Sequence, residues 1–99
     1  MTMIARYNGE EIAKSDDTVV VEGNHYFPPA DVNRGSLVHS ETHTTCPWKG
    51  KASYFHINAG GEINEDAAWY YPEPKEEAAN IRDHIAFWKG VEVTEYRNP

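Results

Sequence analysis

Short runs of apolar and polar alternation begin at the first residues, and each run is soon cut by a turn signal, the pattern of an antiparallel β protein. Residues 3–7 lead into Asn8-Gly9, where both residues tolerate the positive φ of a type I′ turn, so a hairpin to residues 11–14 is predicted. Ser15-Asp16-Asp17 is turn-like. Residues 18–22, built on Val19-Val20-Val21, form the clearest strand, and Gly23-Asn24 then turns the chain into His25-Tyr26-Phe27. Pro28-Pro29 ends this meander, because proline cannot donate to a ladder. A single helical turn is expected over residues 30–33, ended by Gly35, with Asp31 as a candidate cap.

Beyond it, residues 36–39 are a short apolar stretch and residues 41–45 a polar approach to Cys46. Residues 51–57 alternate as a strand, Asn58-Ala59-Gly60-Gly61 turns, residues 62–64 return, and residues 67–71 form a further strand stopped by Pro72-Glu73-Pro74. One short helix is predicted over residues 75–81, with Pro74 near its first turn and Glu76 and Glu77 facing the positive end of its dipole. Residues 85–88, a Lys89-Gly90 turn and residues 91–94 read as a closing hairpin. The expected fold is therefore mainly β, with two small antiparallel sheets.

Length and composition narrow this picture. Ninety-nine residues fit one domain over residues 1–99, with no room for a second core. Hydrophobic residues make up 39% of the chain and aromatic residues 12%, so large rings must supply much of the core. Nine basic against sixteen acidic residues give a net charge of −7, which disfavours nucleic acid, whose affinity depends on Lys and Arg neutralising phosphates. No apolar run approaches a membrane span, no basic-then-apolar leader opens the chain, and a cytoplasmic protein is the expectation. A single cysteine, Cys46, excludes an intrachain disulfide and a thiolate-rich zinc site. None of the five histidines lies in an HExxH arrangement, and His39 and His43, four apart, are flanked by residues that argue against the helix that would bring them together; neither a metal nor another cofactor is expected.

The candidate chemistry gathers at Cys46-Pro47-Trp48-Lys49-Gly50. Pro47 fixes φ and Gly50 permits a tight turn or close approach, so a thiol, an indole and an ammonium are held at one place. Lys49, or His43 folding back, would favour a thiolate at Cys46; the plainer reading of Cys46, and the favoured one, is a small buried hydrophobe. Trp48, Tyr54, Trp69, Tyr71 and Trp88 fall on or beside predicted strands, and a domain of this size rarely hides five large rings completely. Some then line a concavity suited to a planar or cationic small molecule. Asp66 reads as a turn residue. Gly60-Gly61 lacks the helix, Lys and Ser/Thr of a phosphate loop.

The set Tyr26-Phe27-Pro28, Asp31-Val32, Leu37, Ser40, Thr44-Thr45-Cys46-Pro47-Trp48-Lys49-Gly50, Ala52-Ser53-Tyr54, Ala68-Trp69, Tyr71-Pro72, Pro74, Ile81 and Ala86-Phe87 resembles the domain of unknown function 427 family, over about residues 6–93. The resemblance implies a compact, tent-like pair of sheets similar to methionine sulfoxide reductase B, Mss4-like proteins and the ligand-binding domain of cereblon. The zinc of those relatives is held by two cysteine pairs and does not carry over to a chain with one cysteine. Two departures stand out: Trp48 where the family commonly has Tyr, and Asp83 where Gly is expected.

The preferred expectation is a small-molecule-binding domain with a pocket formed by Cys46, Trp48, Lys49, Tyr54, Trp69 and Tyr71. The alternatives are an enzyme using Cys46 as nucleophile or redox centre, and an interaction module that pairs through a sheet edge as a homodimer.

Overall fold

The computed structural model describes residues 1–97. Nine strands run in chain order: β1 (Met3–Tyr7), β2 (Glu10–Ser15), β3 (Val19–Val21), β4 (Asn24–Tyr26), β5 (Leu37–Cys46), β6 (Gly50–Ala59), β7 (Glu62–Tyr70), β8 (Ile85–Phe87) and β9 (Glu92–Glu95). The chain is mainly β, as its alternation predicts. Its strands divide among three antiparallel sheets, ordered β2-β1-β9, β3-β4 and β5-β6-β7-β8.

Asn8 (φ 51°) and Gly9 (φ 80°) make the predicted left-handed turn between β1 and β2. The β3–β4 turn falls one residue earlier than Gly23-Asn24: Val21 pairs with Asn24, so Glu22 (φ 53°) and Gly23 (φ 80°) form the tip. Residues 41–45 are the inner part of β5 rather than an irregular approach, and Cys46 pairs with Gly50. The polar stretch is tolerated because this half of β5 is covered on neither face, residues 41–45 all being exposed. Residues 62–64 and 67–70 belong to one strand, β7, bent by a bulge opposite Phe55 and Ile57.

The closing hairpin does not form. β8 pairs with β7, whereas β9 pairs with β1; the Lys89-Gly90 turn carries the chain from one sheet to another. The expected helix is a run of 3-10 turns over Glu76–Ile81, broken at Ala78 (φ −117°, ψ 20°). Six residues gain too few bonds to offset α-helix nucleation, and the i, i+3 spacing of buried Ala78 and Ile81 suits the tighter helix. A 3-10 turn over Pro29–Asp31 occupies the predicted helical turn without a side-chain cap. Asn33 caps the next turn, its side chain accepting from Gly35 N at 3.1 Å.

Two apolar clusters make the core. One joins β1 and β2 to the four-stranded sheet through Ala5, Ile12, Phe27, Ile57, Ala68 and Ile85. The other gathers Tyr26, Ala52, Tyr71, Ala78, Ile81 and Ala86, with Cys46, Tyr54 and Trp69 packed at its margin. Backbone bonds of 2.8 Å in both directions between Phe27 and Ile85 tie the end of the β3–β4 hairpin to β8. That tie sets the end of the hairpin beside β8, at the edge of the four-stranded sheet.

Candidate functional site

The segment 46–50 is the tip of the β5–β6 hairpin. Three observations explain why it is rigid. Lys75 N donates to Lys49 O at 2.9 Å, Lys75 Nζ donates to Pro47 O at 2.6 Å, and the backbone of residues 73–75 runs beside Gly50. A Cβ on Gly50 (φ 112°) would stand 3.4 Å from Glu73 O. Glycine here serves both the left-handed backbone and the close approach.

From this clamped loop Lys49 reaches inward. The residue is 7% exposed, and its ammonium forms an ion pair with Glu22 at the tip of the β3–β4 hairpin. The ammonium also lies 5.1 Å from the centroid of Trp48 and 5.8 Å from that of Tyr71, within cation–π range. Burial, the largest single influence, works against the charged form of Lys49, but the Glu22 hydrogen bond together with the neighbouring Tyr71, Tyr26 and Cys46 outweighs it and the pKa is raised. The same hydrogen bond lowers the pKa of Glu22.

Around Lys49 opens a cleft of about 210 Å³, lined by Asn24, Tyr26, Lys49, Tyr54, Trp69, Tyr71 and Trp88. Register places the rings. Tyr54 on β6 pairs directly with Trp69 on β7, and Tyr71 follows two residues on, so all three share a face. Ala86 on β8 is the partner of Trp69 on its other side, and this small residue leaves room for Tyr26 to come down from β4. Trp69 Nε1 donates to the Tyr26 hydroxyl at 3.1 Å, with the two rings edge to face at 6.2 Å. Trp88 sits edge to face with Trp69 at 5.9 Å and is 47% exposed, forming the rim.

A polar cluster behind the rim fixes Trp88. Its indole N–H donates to Asp66 O at 2.6 Å. Asp66 is not a turn residue: it occupies the β7 bulge at φ 55°, where its carboxylate accepts from Ser40 Oγ at 2.5 Å and Thr42 Oγ1 at 2.8 Å. Its backbone N–H donates to His56 Nδ1 at 3.0 Å. The Ser40 hydrogen bond lowers the Asp66 pKa; burial opposes it and Thr42 adds to it.

Of the six residues grouped by sequence, the cleft brings together Lys49, Tyr54, Trp69 and Tyr71. Trp48 stands apart at the hairpin tip, 39% exposed, because the loop turns its ring outward over the Lys49 ammonium. Cys46 is half-buried at the margin of the core cluster, outside the lining. Burial pushes the Cys46 thiol up, but the backbone N–H groups of Lys49 and Trp48 facing the sulfur, and the Lys49 charge, bring it below its ordinary value. His43 does not fold back to Cys46; its Nδ1 lies 3.2 Å from Ser53 Oγ. Two residues of the site, Asn24 and Tyr26, lay outside the sequence-based set, and Trp88 was among the five rings grouped by sequence but not among the six placed in the pocket. Glu22, which pairs with Lys49, was also missed, since no local pattern joins residues 22 and 49. The adjacency of Trp88 to the aromatic strands was the one usable signal.

The fold and the cleft define a small, multi-sheet β domain with an aromatic surface cleft that holds a buried lysine paired with an exposed glutamate. The chain belongs to the family described as Domain of unknown function (DUF427), whose profile matches residues 2–98. Comparison with curated proteins found no match. No helix among the described residues is long and apolar enough to cross a membrane.

Proposed function

We propose that this chain is a small-molecule-binding domain and that the cleft over Lys49 is its binding site. The observation that carries the reading is a charged side chain, 7% exposed, presented among five aromatic rings in one concavity. A core built for stability alone has no use for a buried ammonium, since an apolar replacement of similar volume is often as stable or more so. Aromatic walls with a few convergent polar groups are the common composition of small-ligand sites. The rings supply stacking surface, and Lys49 with the tyrosine hydroxyls supplies orientation.

A thermal-shift screen of metabolites against wild type, Lys49→Ala and Trp69→Ala tests this. Compounds that stabilise the wild type and fail to stabilise either folded variant support the site. A screen in which every stabilising compound acts equally on all three proteins removes it.

A further inference from the structure

The cleft presents more hydrogen-bond donors than the protein itself answers. Lys49 Nζ commits one of its three protons to Glu22 and makes no other hydrogen bond among the described residues. Tyr71 is 5% exposed and lines the cleft, yet its hydroxyl has no hydrogen-bond partner among them. That hydroxyl is not sealed inside, because no fully enclosed side-chain polar atom is left without a partner; it opens on the cleft. Burial pushes the Tyr71 pKa up to about 12, so the group remains a donor at neutral pH. The Tyr26 hydroxyl accepts from Trp69 and keeps its own proton free.

These donors ask for an acceptor-rich partner. A carbonyl oxygen offers two lone pairs, whereas an ionised carboxylate offers about four sites and makes hydrogen bonds roughly twice as strong. A cationic ligand would meet the Lys49 ammonium. Glu22 holds the position a ligand carboxylate would take, and its side chain is 53% exposed on a hairpin of three-residue strands. It can therefore move into water with little loss of solvation.

We propose that the cleft takes a small planar carboxylate, its flat body against Trp69 and Trp88 and its carboxylate on the Lys49 ammonium and Tyr71 hydroxyl, in exchange with Glu22. This specifies the ligand class for the cleft and rests on the cleft being the binding site. It also gives Glu22 a role as a built-in competitor that sets the ligand concentration at which the site fills.

The test is a titration of the ¹⁵N-labelled full chain with benzoate, benzamide and benzylamine, followed by amide and indole resonances. Benzoate is expected to bind at least tenfold more tightly than benzamide, and benzylamine to leave the cleft resonances in place. Glu22→Gln should tighten benzoate several-fold. Tyr71→Phe, which keeps the ring and removes one oxygen, should weaken it about tenfold, the size of one hydrogen bond to a charged group. Benzamide or benzylamine binding in the cleft as tightly as benzoate overturns the carboxylate class and leaves the cleft standing. So does a benzoate affinity unchanged in Glu22→Gln. Benzoate binding that perturbs only resonances away from Trp69 and Trp88 counts against the proposal and the cleft reading together, whereas screen hits that shift those two indoles when benzoate does not overturn the class alone.

Discussion

The buried ammonium of Lys49 meets the carboxylate of Glu22, a residue on a different hairpin and largely open to water. The pair is asymmetric, and so are the consequences of breaking it. Removing Glu22 strands a charge beneath aromatic rings; removing Lys49 leaves a carboxylate that water already solvates. Glu22→Ala should therefore lower the melting temperature clearly, while Lys49→Met, which fills the same space without charge, should leave it near or above wild type. Paired thermal melts at neutral pH check the order.

Gly50 carries a left-handed backbone at φ 112° where the β5–β6 loop is clamped by residues 73–75. An alanine there meets no severe clash, since its nearest neighbour would stand at 3.4 Å, but it must adopt a conformation L-residues rarely hold. Gly50→Ala should destabilise by about 1–3 kcal/mol, measured by urea unfolding.

Asp83 also lies in the left-handed region, at φ 60°, with its N–H on Tyr71 O at 3.1 Å. Glycine is the residue that the family resemblance leads one to expect here, and the backbone gives the reason. Asp83→Gly relieves the strain and loosens the unfolded chain slightly. A net gain of up to about 1 kcal/mol is expected, again by denaturant unfolding.

Hydrogen bonds from Ser40 and Thr42 hold the Asp66 pKa below its ordinary value. A depressed folded-state pKa means the unfolded chain binds the proton more readily. The stabilisation is then present above the unfolded value of about 4 and lost as pH falls through the folded value. Wild type should lose stability on acidification below that point. Asp66→Asn should lose less over the same range while starting from lower stability at pH 7. Unfolding curves at several pH values between 3 and 7 measure both slopes.

The elements most legible in the sequence were those fixed by local chemistry. Asn8-Gly9 turns where its left-handed preferences require it, Gly90 does the same after Lys89, and the valine run of β3 and aromatic alternation of β6 are strands. What local pattern does not contain is long-range pairing. Residues 85–94 carry hairpin signals, yet β9 finds β1 at the opposite end of the chain. Residues 41–45 lack alternation because both faces of this part of β5 are open to water. The site divides along the same line. Lys49, Tyr54, Trp69 and Tyr71 are brought together by neighbouring strands and the β5–β6 hairpin, whereas Asn24, Tyr26 and Glu22 arrive on a separate hairpin placed by the Phe27–Ile85 bridge.

The three tryptophans allow the central claim to be measured directly. Trp69 and Trp88 line the cleft, and Trp48 stands outside its lining. In a fragment screen followed by the three indole N–H resonances, ligands of the native site should shift Trp69 and Trp88 together and move Trp48 less. Fragments that bind the protein while leaving Trp69 and Trp88 unmoved would contradict the assignment of the cleft as its binding site.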